Sequence, residues 1–174
     1  MDLYDGAVNN VFYKPKAMHE ERLMNEIPAL SVRGPWWWWI LYGGKDIENR
    51  GWRTSYRGPV YLHASKWSNA EEMQRDWDDT TTMYRKKGGP SLPPVTLGEL
   101  RSRGGYIVGR YEIADCVRAC ASAWFVGPNG WMLRNAVAFA QPIPCRGARQ
   151  LFPVPGDVLA RIRAVDAPGA MIAI

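Results

Sequence analysis

The chain has 174 residues, of which 47% are hydrophobic and 22% charged. This balance is typical of one folded domain and excludes a largely disordered protein. The 22 Lys and Arg residues outnumber the 17 Asp and Glu residues and give a net charge of +5, which is compatible with a polyanionic partner. Three Cys and two His residues are too few for a disulfide framework or a usual zinc site, so no metal and no cofactor is predicted.

The longest apolar run, at residues 35–42, is far shorter than the roughly 18 residues needed to cross a bilayer. The first five residues lack the basic segment of an export signal. We therefore expect a cytoplasmic protein without a membrane anchor. Nothing in the sequence specifies the oligomeric state.

The first part of the chain predicts an extension followed by a strand and a short helix. Residues 1–28 have few apolar anchors and are interpreted as an N-terminal extension, and residues 29–174 as one domain. Residues 30–33 are typical of a strand. Gly34-Pro35 predicts a helix with Pro at its first position, and Gly43-Gly44 predicts its end.

That helix contains four consecutive tryptophans at residues 36–39. Successive residues of a helix turn by about 100°, so the four rings cannot all face one core. We expect at least one of them to be exposed or to line a pocket.

The middle of the chain predicts two strands and two helices. Residues 46–50 are interpreted as a strand, and residues 58–65 alternate with period two, which sets Tyr61, His63 and Ser65 together on a polar face. Capping boxes at Ser68 and Thr96 predict one helix from residue 69 into the eighties and a second, shorter helix.

The last part of the chain predicts mainly strands. A long strand is expected at residues 106–117, and a hairpin whose turn is Gly127-Pro128-Asn129-Gly130. Residues 136–142 predict a further strand, and residues 157–163 a terminal helical turn. Short strands in irregular succession with helices between them favour an α+β fold, a small barrel with helices, over a doubly wound parallel sheet.

The candidate chemistry is concentrated at residues 43–50, which read G-x-K-x-x-E-x-R. In an extended segment Glu48 and Arg50 point to the same face, and an ion pair of Glu48 with Arg50 or Lys45 is the alternative to a ligand site. Lys45 is interpreted first as a binding cation. A catalytic amine is the less favoured role, because deprotonating an ordinary lysine at neutral pH costs about 4 to 5 kcal/mol.

Other side chains extend this hypothesis. Trp36 is the first candidate for stacking on a base, and Trp131 the second. His63 and Ser65 are auxiliary polar groups, but no acid at a fixed spacing completes a nucleophilic triad, and a structural histidine is the alternative. A nucleic-acid backbone would be bound by a row of basic residues, the phosphate track. The candidates for this track are Arg33, Arg50, Arg53, Arg57, Lys66 and Arg146.

Several ordered blocks of the sequence point to a known family. They are residues 29–36, the motif at 43–50, Tyr56-Arg57-Gly58, residues 62–66, Ser122-x-Trp124-Phe125, Gly130-Trp131 and Arg146-Gly147. Together they resemble the ASCH domain, the activating signal cointegrator-1 homology module of the PUA-like superfamily. The resemblance spans about residues 29 to 155.

The resemblance implies a PUA-like small mixed β-barrel with flanking helices and a cleft, edged by the motif, for RNA or a modified nucleoside or nucleotide. The expected ligand contacts are Arg33, Trp36, Lys45, Glu48, Arg50, Lys66, Trp131 and Arg146. Because the family includes nucleic-acid-binding modules, a ribonuclease and an amidohydrolase acting on N4-acetylcytidine, its fold does not fix one function.

Two alternatives to nucleic-acid binding therefore stay open. One is a hydrolase, either a ribonuclease or an N4-acylcytidine-type amidohydrolase, in which Lys45 and Glu48 are an acid–base pair assisted by His63 and Ser65. In the amidohydrolase branch, however, Thr stands at the position that matches Glu48. The other alternative is a protein-interaction module whose surplus tryptophans bind a partner.

Overall fold

The computed structural model describes residues 27–67 and 69–165. The elements in chain order are β1 (Ala29–Arg33), α1 (Trp36–Tyr42), β2 (Ile47–Arg50), β3 (Gly58–Ser65), α2 (Ala70–Lys86), α3 (Leu97–Ser102), β4 (Tyr106–Val117), β5 (Asn129–Pro144), β6 (Leu151–Phe152) and α4 (Gly156–Val165). The predicted extension, except for Ile27 and Pro28, lies outside the described residues. None of the helices described here is long and apolar enough to span a membrane.

The six strands form one mixed sheet in the order β2-β5-β4-β3-β1-β6. β1 runs parallel to β3, and the other neighbours are antiparallel. The register shifts once between β3 and β4 and three times between β4 and β5. Such irregularities bend strands and increase their twist, and this sheet curls into a half-barrel. The predicted α+β class, with a barrel-like mixed sheet and flanking helices, is confirmed at this level.

The half-barrel leaves a gap between β2 and β1, which we call the seam. Within the described residues, β2 pairs with β5 alone. On the opposite edge β6 pairs with Ala29 and Leu30, so residues 31–33 of β1 extend beyond it. Arg50 of β2 crosses the seam and donates from Nη2 to the Ser31 carbonyl oxygen at 2.9 Å. One side chain therefore joins the two edges of the sheet.

Both faces of the sheet are buried. Val60, Leu62 and Ala64 of β3 belong to the larger hydrophobic cluster, together with residues of α1 and α2. Tyr61 belongs to the smaller one, with β6 and α4. The alternation predicted for β3 is confirmed, but the face of Tyr61 and His63 is part of the interior rather than a polar surface.

Helix α1 divides its tryptophans between the core and the seam. Residues 37–39 are buried, whereas Trp36 is half-buried and lines a cavity, as expected from the helical geometry. The helix ends at Gly43, where a Cβ atom would collide with the Trp39 ring. Pro35 is the N-cap residue rather than the first helical residue, so the helix begins at Trp36, one residue later than predicted.

Side-chain caps begin the next two helices. The Asn69 side chain accepts a hydrogen bond from the Glu72 amide at 3.0 Å, so the cap of α2 is Asn69 rather than Ser68, which lies outside the described residues. Thr96 and Glu99 form the reciprocal capping box predicted for α3.

The predicted hairpin at residues 127–130 is wrong. Residues 124–126 form no strand, because the Asn49 side chain takes the backbone groups that a partner strand would need: its Nδ2 donates to the Trp124 carbonyl at 2.7 Å, and its Oδ1 accepts from the Val126 amide at 2.9 Å. Trp131 pairs instead with Glu48 of β2 and Cys116 of β4. The strand predicted at residues 136–142 is the second half of the long, bent β5.

Candidate functional site

A cavity of about 460 Å³ lies in the seam. Its walls come from β1, β2 and the turn before it, the start of α1, and α2. They are completed by three loop residues, Ala123, Trp124 and Val126. Ligand pockets in proteins usually have about 300–1,000 Å³, with mainly apolar walls and a few polar groups. The seam cavity has this size, and its lining combines apolar and aromatic side chains with a few charged ones.

Lys45 enters the cavity wall from the turn between α1 and β2. Its backbone amide donates to the Trp39 carbonyl at 3.0 Å, and the residue is only 4% exposed. The ammonium donates to the Ile47 carbonyl and to Glu48 Oε2, the latter at 3.1 Å. These bonds use two of the three N–H groups of the ammonium, and the Trp36 ring centroid lies 5.9 Å from Nζ.

Glu48 joins the two cations of the motif. Its Oε2 contacts Lys45, and its Oε1 lies 3.0 Å from Arg50 Nη2. Lys45, Glu48 and Arg50, which we call the charged cluster, all line the cavity. Glu48 and Arg50 share one face as the period of the strand predicts, and Lys45 reaches Glu48 from the preceding turn. The ion-pair alternative is also realised, and it satisfies the requirement that buried charges be paired.

The Arg50 guanidinium is packed as well as bonded. Its Cζ lies 5.3 Å from the Trp52 ring centroid and 5.9 Å from that of Trp131. Its Nε is buried and has no hydrogen-bond partner among the described residues, and the same holds for the hydroxyl of Tyr111. Burial raises the pKa of Tyr111, with a further increase from the Glu48 charge that Arg50 partly offsets.

Asn49 of β2 holds the apolar part of the cavity wall in place. Trp124 and Val126 line the cavity, and Asn49 binds their backbone on the other side of the strand from Glu48. The Ser122 hydroxyl donates to Asp46 Oδ1 at 2.5 Å. Neither Asn49 nor Asp46 is among the site residues predicted from the sequence. The only sequence signal for them is their position inside the motif.

Of the other predicted ligand contacts, Lys66, Trp131 and Arg146 do not line the seam cavity. Arg33 lines the cavity, but its guanidinium pairs with Glu72 at 3.0 Å and lies over Trp67. Lys66 and Arg146 border a separate depression beside α4. Trp131 is fully buried and cannot offer its ring to a ligand, so its assignment as a stacking residue is wrong.

The proposed phosphate track is likewise not a single surface. Arg50 lies in the seam, whereas Lys66 and Arg146 border the depression beside α4. Arg57 is bound to Asp115 at 2.7 Å, so part of its charge is neutralised within the protein. The basic residues that line the seam cavity are therefore Arg33, Lys45 and Arg50.

His63 belongs to a closed polar centre outside the cavity. Its Nδ1 lies 3.0 Å from Ser31 Oγ and its Nε2 3.0 Å from the Cys145 carbonyl, and the residue is 2% exposed. Burial lowers the pKa of His63, and the hydrogen bond to Cys145 opposes this shift. A carbonyl only accepts hydrogen bonds, so Nε2 of the neutral ring carries the proton. Neither His63 nor Ser65 lines the cavity, which corrects their assignment as auxiliary groups of a site at Lys45 and Glu48.

Within residues 27–67 and 69–165, no group of three or more His, Cys, Asp or Glu side chains is arranged to hold a metal ion. The three cysteines are free thiols, of which Cys116 and Cys145 are buried. Neither a protein-family model nor a curated protein sequence matches this chain. The geometry of the seam is therefore the basis on which its function is inferred.

Proposed function

We propose that the chain is a PUA-like domain of the ASCH type that binds RNA or a modified nucleotide in the seam cavity. The observation that carries the proposal is the charged cluster, which is buried and paired yet faces a cavity with an aromatic wall. Nucleobases combine a flat apolar face with polar edges, and recognition of unpaired bases commonly uses both properties.

The charged cluster has hydrogen-bonding capacity beyond its internal bonds. Lys45 has one N–H group left, and within the described part of the chain Arg50 Nη1 donates to no protein group. These donors suit the ring nitrogen and carbonyl acceptors of a base, or a phosphate oxygen. Glu48 has lone pairs left for an exocyclic amine of the same base.

Trp36 supplies a surface on which the base can stack. The Trp36 side chain is half-buried in the cavity wall, and Lys45 Nζ lies 5.9 Å from its ring centroid. Stacking of a base on an aromatic side chain contributes about 1–3 kcal/mol.

The same contacts favour recognition over the two alternatives. A nucleophilic Lys45 amine would have to lose a proton while the Ile47 carbonyl and Glu48 both accept hydrogen bonds from it. His63 and Ser65 lie outside the cavity and cannot assist. For a protein-interaction surface, the tryptophans at residues 37–39 and Trp131 are unsuitable because they are buried.

The test is a titration of purified protein with short single-stranded RNAs and modified nucleotides, with product formation followed by mass spectrometry. We expect Lys45→Ala to weaken binding by about 10- to 100-fold, the loss expected when a hydrogen bond from a charged group is removed. Lys66→Ala is the matched control, since it removes a lysine outside the cavity, and we expect it to change the affinity less than about twofold. Circular dichroism establishes that both variants fold.

Two results would overturn the proposal. Product released by the wild type but not by Lys45→Ala would identify a hydrolase. The absence of both binding and product would exclude the seam as a nucleotide site.

Bound RNA should also dissociate with rising salt. The logarithm of the binding constant should fall with the logarithm of the salt concentration, with a slope of about −0.7 for each phosphate contacted.

A further inference from the structure

Trp52, just after β2, is the large side chain that stands out beside the seam. It is 38% exposed, whereas most of the other tryptophans are buried or half-buried. Its ring stands edge-on to the buried Trp131, with centroids 5.8 Å apart and an interplanar angle of 88°. The Trp131 indole N–H also donates to the Trp52 carbonyl at 3.3 Å. Both the ring and the backbone of Trp52 are therefore held against the core.

Arg50 connects this ring to the cavity. The guanidinium that pairs with Glu48 and lines the cavity has its Cζ 5.3 Å from the Trp52 ring centroid. A ligand in the cavity and a ligand on Trp52 would thus lie on either side of one guanidinium. Such a cation suits the phosphate that links two neighbouring nucleotides.

The surroundings of Trp52 are basic. Arg53 follows it and is exposed. A backbone hydrogen bond from Cys116 and the Arg57 side chain hold the pKa of Asp115 below its usual range, and the charge of Arg53 adds to this effect. The Asp115 carboxylate is therefore outnumbered by the guanidinium groups of Arg57 and Arg53, and Arg53 directly follows Trp52 in the chain. This balance favours a polyanion over an acidic or neutral peptide surface.

We propose that Trp52 stacks the nucleotide next to the one in the seam cavity, so that the ligand is single-stranded RNA of at least two nucleotides rather than a free nucleoside. This inference rests on the proposed function of the cavity. It adds a second stacking surface and assigns Arg50 to the linking phosphate. Exposed aromatic rings in a basic groove are the usual means of holding successive bases of a single strand.

The experiment compares nucleoside 5′-monophosphates with matched dinucleotides by isothermal titration calorimetry. We expect the wild type to bind the dinucleotide about 5- to 100-fold more tightly, and Trp52→Ala to remove this gain while leaving mononucleotide affinity unchanged. Trp52→Phe keeps an aromatic ring and should retain part of the gain. Met132→Ala is the matched control, because Met132 is 37% exposed on the neighbouring strand β5 and should leave the gain intact.

The outcomes separate this inference from the proposed function. Equal affinity of the wild type for mononucleotides and dinucleotides would overturn the role of Trp52 and leave the cavity site standing. Failure to bind either ligand would remove both proposals. A dimer that sediments in the wild type but not in Trp52→Ala, without any dinucleotide gain, would show that Trp52 contacts a second copy and would also overturn the inference.

Discussion

Two buried polar centres meet at β1, and they differ in how completely the protein satisfies them. The charged cluster lies on the seam side and faces a cavity of about 460 Å³. The centre around His63 lies behind Ser31, with both ring nitrogens bonded to protein groups and the ring edge-on to Phe152. Burial of a polar side chain therefore does not mark a ligand site. Unused donors beside a cavity distinguish the first centre from the second.

The ions and the imidazole of the two centres all have partners, although Arg50 Nε has none among the described residues. In the closed centre the partners are neutral, and the loop at Gly147 covers the ring. In the charged cluster both cations depend on Glu48, so removing Glu48 leaves them without compensation. Four substitutions test this difference, starting with the largest expected effect.

Glu48→Ala should destabilise the fold by about 3–5 kcal/mol, because it leaves Lys45 and Arg50 buried without their shared carboxylate. Urea unfolding followed by tryptophan fluorescence measures the loss. The control is Glu112→Ala, which removes a carboxylate that pairs with the exposed Arg134 at 2.8 Å and should have a much smaller effect. Equal losses in the two variants would mean that the charged cluster is no more tightly coupled than a surface ion pair.

Gly147→Ala should destabilise the closed centre by about 1–3 kcal/mol through overpacking. A Cβ atom at this position would lie 2.8 Å from Ser31 Oγ and would also collide with the His63 ring. Gly156→Ala is the control, since a Cβ there has no neighbour within 4 Å. Thermal unfolding of both variants decides the matter, and an unchanged Gly147→Ala protein would show that the loop does not cover His63 closely.

The sequence predicts some members of the candidate site correctly and others wrongly. Glu48 and Arg50 are two residues apart on one strand, so the strand period alone places them together. Lys66 and Arg146 were grouped with them wrongly, and Trp131 does lie beside Arg50 but is buried and cannot stack on a ligand. Their positions depend on which strands pair across the sheet, and a local pattern does not contain that information.

The fold shows the same division. The capping box at Thr96 and the alternation in β3 are local signals, and both are confirmed. The turn sequence at residues 127–130 indicates a change of chain direction but not a pairing partner. The strand partners of Trp131 come from residues far along the chain, and Asn49 replaces the expected hairpin arm through its side chain.

The closed centre should make stability depend on pH near neutrality. Because burial lowers the pKa of His63 in the folded state, the unfolded chain binds a proton more readily. Stability is then complete above the ordinary histidine pKa of about 6.5 and falls below it by at most about 1.4 kcal/mol per pH unit, until the folded pKa is reached.

His63→Asn isolates this effect, because the other titrating groups, including His19, are present in both proteins. The decrease in the free energy of unfolding from pH 7.5 to 5.5 should be larger in the wild type than in the variant. A difference between the proteins that does not change with pH would mean that His63 accepts a proton equally well when folded.

Tyr111→Phe should have the smallest effect, although Tyr111 is fully buried behind the charged cluster. Its hydroxyl has no hydrogen-bond partner among the described residues, so its removal should change the free energy of unfolding by less than about 1 kcal/mol, with stabilisation the favoured sign. Tyr56→Phe is the comparison, since the half-buried Tyr56 donates to the Pro59 carbonyl at 2.6 Å and its loss should cost about 0.5–1.5 kcal/mol. Urea unfolding of both variants gives the order. If Tyr111→Phe proves the more costly, the hydroxyl is hydrogen-bonded in solution. The Glu48 charge helps to raise the pKa of Tyr111, so a water molecule that bridges the hydroxyl and the Glu48 carboxylate is the expected partner. The charged cluster would then extend from the cavity into the core, and its unused capacity would be smaller than the direct contacts indicate.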